Sequence, residues 1–397
     1  MELYKRQQYN ILIDRLKEPR HFIQVIVGPR QIGKSTLIKQ VVDNISIPHY
    51  LYNADTVDFN NNQWISETWE SARVRMKYEK VNEVILVFDE IQKLKNWSEF
   101  VKREWDFDTL NEINIKVVLL GSSRLLLKHG LTESLAGRFE LIRMGHWSYT
   151  EMNEAFGYSL DEWIYWGGYP ASTIFKDDIR RWRKYVKDSL IAPAIEKDVI
   201  LTSNIYKPAL MKQLFEIGCS YSSEIVSLTK ILGQMTDAGN VTTLYSYLEI
   251  LNQCNLLCGI NKFANDVSRK YQSIPKWITY NNALLTAYKG IDFKTDRFDT
   301  KNWGRWVESA VGAYIISQAE DEDIKVYYWR ERDEVVDFIL QYHADIVAIE
   351  VKSGRRGMNK GLPNFSKKFN PKRAIIVGTN GIPLETFFKV NISTLFE

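Results

Sequence analysis

"QVIVGPRQIGKSTLIKQ", residues 24–40, sets two glycines and a lysine between an apolar run and a helical pattern. Gly28, Gly33, Lys34 and Ser35 fit G-x-x-x-x-G-K-[ST], and the flanks supply the context that such a match needs. "HFIQVIV" before the loop reads as a buried strand, while "KSTLIKQVVDN" after it spaces Leu37, Ile38, Val41 and Val42 along one helix face. Glycines let backbone N–H groups curl around phosphate oxygens, and the start of a helix adds partial positive charge. Lys34 is then placed to neutralise the β and γ phosphates of a nucleotide, the Ser35 hydroxyl to ligate Mg²⁺, and Thr36 to complete the loop.

Such a loop needs an acidic partner at the end of a neighbouring strand. "VNEVILVFDEIQKL", residues 81–94, supplies it: Val84 to Phe88 is a continuous apolar strand of the parallel-sheet kind, ending in Asp89 and Glu90. Asp89 would hold Mg²⁺ through water and Glu90 would orient or deprotonate an attacking water, which implies hydrolysis. A further buried strand, "IKVVLLG", runs into Ser122 and Ser123, where a hydroxyl either senses the γ-phosphate or caps the next helix. Arg138, in the glycine-containing turn of "LTESLAGRFELIRM", is either delivered to a γ-phosphate or pairs with Glu133 or Glu140 on the surface.

The order of these features resembles the AAA-type ATPases, in particular a large prokaryotic family in which a P-loop ATPase precedes a C-terminal domain of undefined function. The matching strings are "GPRQIGKST", "LVFDEIQ", "LLGSSR", "SLAGRFE", "WGGYP" at 166–170, "VYYWRERDEVVDFIL" and "IEVKSG", which together span nearly the whole chain. The resemblance implies that Lys34 and Ser35 bind ATP and Mg²⁺, that Asp89 and Glu90 serve hydrolysis, and that Arg138 is an arginine finger. The sensor position carries Ser122 where the family usually has Asn or Thr.

At 397 residues the chain exceeds one ordinary domain. A net charge of +3 does not by itself argue for nucleic acid. Cys219, Cys254 and Cys258 are too few for a disulfide framework and read as buried thiols. The charged N-terminus lacks the apolar core of a signal peptide, and no apolar run approaches membrane-spanning length, so a cytoplasmic location is expected.

Residues 1–150 alternate strand-like and helical segments, which predicts a three-layer α/β P-loop ATPase domain. Residues 151–204 read as a helical lid or linker, turning sharply at "WIYWGGYPAS" and broken at Pro193. Residues 205–265 hold three helical patterns and a closing strand, a winged-helix-like unit whose middle helix is not strongly basic. Trp277, Trp303 and Trp306 lie in apolar patterns and belong to a core.

Residues 266–397 carry a second chemical signal. Glu308 sits on a strong helix, Asp337 on "EVVDFILQY", and Glu350 with Lys352 on "DIVAIEVKSG". Period two sends Glu350 and Lys352 to one face, and a hairpin would bring Asp337 beside them. Carboxylates so gathered can bind a divalent metal that activates water, with a lysine positioning the nucleophile. The order resembles the restriction-endonuclease-like fold, an α/β domain with an Asp followed by Glu-x-Lys on adjacent strands; the resemblance implies metal at Asp337 and Glu350 and catalysis by Glu308, Asp337, Glu350 and Lys352. Val336 stands where that fold usually has a proline. The bland alternative is that Glu350 and Lys352 pair with neighbouring strands in an inactive domain.

From Val351 to Leu384 there is no acidic residue, while Lys352, Arg355, Arg356, Lys360, Lys367, Lys368, Lys372 and Arg373 are basic. A face of this kind at 352–373 suits a DNA backbone, or is a solvated loop and helix. Three functions compete: an ATPase that directs a nuclease-like domain to DNA, an ATP-driven switch whose C-terminal domain is an inactive binding module, and a small-molecule P-loop kinase, against which the acidic pair and the finger-like Arg138 favour water as acceptor. An arginine finger acting in trans implies an ATP-dependent homo-oligomer.

Overall fold

The computed structural model describes residues 3–121, 130–131, 134–200, 205–236, 239–264, 273–354 and 360–397. The chain divides into two compact units, Met1–Gly145 and His146–Glu397.

The first unit is built on five parallel strands, β1 (Ile23–Val27), β2 (His49–Asn53), β3 (Val84–Asp89), β4 (Ile115–Gly121) and β5 (Phe139–Arg143), in the order β2-β3-β4-β1-β5. The apolar runs that predicted central strands are buried on both faces. Val25, Leu86, Phe88, Val117 and Leu119 share one core with Ile65, Trp69, Val101 and Trp105. The alternate residues Ile26, Ile85, Val87 and Val118 are buried as well, as strands covered on both sides must be. Helices Gln63–Glu79 and Trp97–Leu110 are tied by a buried polar contact, in which Asp108 accepts from the Trp69 indole and from Arg73, each at 2.7 Å.

Register then decides where chemistry can occur. Val27 lies opposite Gly121 and Phe88 opposite Leu119, so β1, β3 and β4 end side by side, and the loops leaving them share the crevice where such sheets bind ligands.

The second unit contains a six-stranded mixed sheet in the order β11-β10-β9-β8-β6-β7. Its strands are β6 (Leu257–Lys262), β7 (Lys276–Thr279), β8 (Lys325–Glu331), β9 (Glu334–Tyr342), β10 (Asp345–Lys352) and β11 (Arg373–Gly378). The closing strand of the winged-helix-like pattern, β6, pairs in this sheet with both β7 and β8. Its expected middle helix is only one short turn, Leu228–Leu232, between the longer helices Pro208–Ser220 and Val241–Gln253. Cys219, Cys254 and Cys258 are buried and form no disulfide, and Trp277, Trp303 and Trp306 are core residues.

Two local features of the helical segment have plain causes. The break expected at Pro193 does not occur: helix Ile179–Tyr185 continues into wider turns over Val186–Ile191, where the Ala192 N–H bonds the Lys187 carbonyl five residues back, and again over Ala194–Ile200. Proline cannot donate to the ladder, and wider turns accommodate the lost bond. "WGGYP" is a docking turn. Gly167 has φ 72° and ψ −164°, a region open essentially to glycine, and a Cβ there would lie 2.0 Å from Asn281 Oδ1, the oxygen that accepts from Gly168 N–H. Gly167→Ala is therefore expected to destabilise the chain by about 3 kcal/mol, read by urea unfolding. An unchanged midpoint would show that the turn is not held this way.

Candidate functional site

The nucleotide loop follows β1 directly. Gly33 has φ 95° and caps helix Lys34–Val42 from the left-handed region, and Gln31 is also left-handed at φ 64°. Turns of this alternating kind aim successive N–H groups to one side, making an anion cradle at a helix start. Lys34 is buried, its ammonium donating to the carbonyls of Gly28 at 2.9 Å and Pro29 at 2.7 Å. Its charge is thus held over the loop. Thr36 is exposed.

From β1 to β3 the connection is direct: the Ser35 hydroxyl donates to Asp89 Oδ2 at 2.7 Å. A hydroxyl and a carboxylate at this separation are hard oxygen donors of the kind Mg²⁺ takes, so the residues fit that ion. Glu90 has φ 55°, an unusual backbone for a residue with a side chain. Its carboxylate accepts from Gln92 Nε2 at 2.6 Å and lies 3.9 Å from the Arg30 guanidinium. Sequence reading missed Arg30 and Gln92 as partners of Glu90, although both lie inside the strings that carry the resemblance. Ser122 and Ser123 lie outside the described residues.

Arg138 is not paired with Glu140 in the structure, and Glu133, the other surface partner expected for it, lies outside the described residues. Its guanidinium grips Asp106 with Nε at 2.7 Å from Oδ1 and Nη2 at 3.1 Å from Oδ2, a two-point contact on the surface. Glu140 instead accepts from Gln24 and faces Arg15.

The carboxylates of the second unit come together. β9 and β10 form an antiparallel hairpin turning at His343 and Ala344, with Phe338 opposite Ile349, so Asp337 and Glu350 are the next step of the register. Asp337 Oδ2 accepts from Val351 N–H at 2.8 Å. Glu308, on helix Thr300–Ala319, approaches from outside the hairpin. Lys352 is half-buried at the end of β10, opposite Gly378 of β11.

A residue that sequence reading passed over lies among them. Lys276, the first residue of β7, is 1% exposed, and its ammonium lies 2.5 Å from Glu308 Oε1, 3.5 Å from Asp337 Oδ1 and 3.1 Å from the Asp337 carbonyl. Burial pulls its pKa down, but Glu308 and Asp337 outweigh that and hold it above the ordinary lysine value. Burial pushes the Glu308 carboxyl up to about 7; Lys276 opposes the shift, and Asp337 and Glu350 add to it. Among the described residues, no group of three or more His, Cys, Asp and Glu is disposed to hold a metal ion. The one sequence signal was a lysine inside the otherwise apolar "IPKWIT".

Of the basic stretch, Lys368 pairs with Glu331 at 2.6 Å and Lys372 with Asp345 at 3.3 Å, while 355–359 lie outside the described residues. Part of its charge is therefore spent within the fold.

Comparison with known proteins agrees with the nucleotide loop. Residues 20–153 match the family described as an AAA domain, residues 157–295 a domain of unknown function (DUF8612), and residues 303–393 another (DUF4143). The first stretch is thus supported as an AAA-type P-loop ATPase domain. The uncharacterized protein MJ1544 of Methanocaldococcus jannaschii is 24% identical over 342 residues, covering 80% of this chain and 72% of that protein. Two variants of Thermotoga maritima RuvB are similar at 15% and 14% identity, each covering 64% of this chain and 87% of theirs, with TM-scores of 0.33 and 0.35. Values this low decide nothing further. No helix among the described residues is long and apolar enough to cross a membrane.

The Arg138–Asp106 contact is about one-third exposed on both sides, so breaking it costs only about 1 kcal/mol. An arginine brought to a γ-phosphate is worth roughly 4 to 7 kcal/mol of barrier, which readily offsets that cost. Asp106→Asn is therefore expected to change ATP turnover by less than about fivefold, while Arg138→Ala lowers it by about 10³ or more with nucleotide affinity kept. A collapse of turnover in Asp106→Asn would mean that the pair itself is needed.

Proposed function

We propose that the chain hydrolyses ATP with Mg²⁺ and uses the cycle to control what its His146–Glu397 unit binds. The observation that carries the hydrolytic part is the 2.7 Å hydrogen bond from Ser35 to Asp89, which brings together residues of two loops that the sequence assigned to one metal ion. Lys34 neutralises the β and γ phosphates, and Ser35 and Asp89 hold Mg²⁺, which when bound supplies charge neutralisation at the phosphates. Glu90 orients the attacking water and takes its proton, leaving the Gln92 amide as it does so. Arg138 reaches the nucleotide of a neighbouring copy, so assembly depends on ATP.

A second reading, in which the C-terminal region is a restriction-endonuclease-like nuclease acting on DNA, is favoured by one observation: the hairpin that sets Asp337 next to Glu350. The chain order of helix Thr300–Ala319, the antiparallel strands β8, β9 and β10, helix Gly361–Phe369 and β11 parallel to β10 is compatible with it. Asp337 and Glu350 would then be the metal ligands, Glu308 and Lys352 would assist, and Lys352, Lys360, Lys367 and Arg373 would face the DNA backbone. The buried Lys276 weighs against this reading.

Glu90→Gln is expected to bind ATP as the wild type does and to lose roughly 10²- to 10⁴-fold in turnover, measured as phosphate release. Normal turnover in that variant would remove Glu90 from the reaction. The two readings of the second unit separate on DNA incubated with Mg²⁺ or Mn²⁺ and ATP: the switch predicts no cleavage by ATP-hydrolysing wild type, and cleavage that Glu350→Ala abolishes would establish the nuclease.

A further inference from the structure

We infer that Lys276 is the resident cation of the carboxylate cluster in the second unit, standing where a divalent metal would otherwise be held. Two carboxylates meet its ammonium, Glu308 from helix Thr300–Ala319 and Asp337 from β9, while Glu350 of β10 lies beside Asp337 in the hairpin register and acts on Glu308 through its charge. Lys276 enters from a fourth, β7, on the other side of the sheet order from β10.

The contacts use all three donors of the ammonium. An ammonium has three N–H donors, and the oxygens around Lys276 are the Glu308 carboxylate, the Asp337 carboxylate and the Asp337 carbonyl. Its remaining side meets the Phe338 ring, 4.5 Å from the centroid, a contact that also favours a cation. Asp337 in turn has both carboxylate oxygens engaged, Oδ1 facing Lys276 and Oδ2 accepting from Val351 N–H. A divalent ion asks for several oxygens at roughly 2.0 to 2.6 Å, and would have to share Asp337 with both of its partners while facing the positive charge of an ammonium that already lies against the same oxygens. The residues here therefore do not fit the metal that a restriction-endonuclease-like site implies, although three of the expected side chains are in place.

The consequence is a cluster that keeps the acidic arrangement without the ion. Its lysine is covalent and always present, so the unit needs no metal to be stable. This deepens the switch reading of the second unit, and its readout is metal binding instead of cleavage, so either can fail while the other stands.

The test is Mn²⁺ binding by the full chain without nucleotide, followed by the electron paramagnetic resonance of free Mn²⁺, with thermal melting alongside. Asp337→Asn isolates this cluster from ions held at Ser35 and Asp89. Wild type is expected to show no Asp337-dependent binding up to about 5 mM, whereas Lys276→Met should gain a site at least about tenfold tighter that Lys276→Met/Asp337→Asn loses. Lys276→Met should also melt lower in chelator and recover with Mn²⁺. If Lys276→Met does not fold at all, the triple variant with Glu308→Gln and Asp337→Asn should restore folding by removing the charges left unpaired. Asp337-dependent Mn²⁺ binding by wild type would overturn the inference. So would a Lys276→Met that melts with wild type and binds no metal, or a triple variant that fails to regain the fold.

Discussion

Ser35 and Asp89 stand far apart in the chain, and the bond between their side chains exists because β1 and β3 run the same way in one sheet with β4 between them. Parallel strands end at a common edge, so a loop leaving one can meet an acid leaving another only if register is kept. Here register is fixed by burial. A one-residue slip of β3 would turn Leu86 and Phe88 out of their core and carry Asp89 to the wrong face. The nucleotide chemistry thus depends on the apolar packing beneath it, including Trp69, whose indole is fixed by the buried Asp108.

That packing also sustains unfavourable backbone where the chemistry is. Gln31 and Glu90 are both left-handed without being glycine, and each costs about 1 kcal/mol or more against an ordinary conformation. Gly33 takes the same region at no steric cost. The placement is informative: the two residues with side chains are those whose neighbours, Arg30 and Gln92, reach the Glu90 carboxylate. Geometry at the end of β3 is therefore set by contacts from the phosphate loop as well as by β3 itself.

The sequence made the first unit legible because its signals are local. A glycine loop between a strand and a helix, and an acidic pair ending an apolar run, each lie within one window, and the sheet puts them where the windows suggested. The Asp337–Glu350 pairing was legible too, since two strands and a tight turn between them suffice. Other features were hidden because they depend on tertiary distance. Nothing near Arg138 in sequence marks Asp106 as its partner, and nothing in "IPKWIT" marks Lys276 as lying against Glu308 and Asp337. The break read at Pro193 likewise does not occur, because a proline ends a helix of ordinary turn width and the chain there uses a wider one.

Lys276 matters most through the arithmetic of buried charge. Two unit charges about 4 Å apart at an effective dielectric near 20 interact by about 4 kcal/mol, so a divalent ion at that distance from the ammonium would be opposed by about 8 kcal/mol. Carboxylates shared between lysine and metal would have to repay that, and Asp337 Oδ2 already serves a backbone N–H. Three ionised carboxylates beside one ammonium still leave an excess of two negative charges. With the Glu308 carboxyl pushed up to about 7, a proton on it takes the excess to one without any ion from solution. Removing the lysine is a different matter, since it would take from Glu308 and Asp337 the ammonium they share, the situation in which a buried pair broken on one side costs about 3 to 5 kcal/mol. A cluster that the fold balances with its own lysine, and unbalances when that lysine is lost, uses its carboxylates to hold β7, β9 and helix Thr300–Ala319 together.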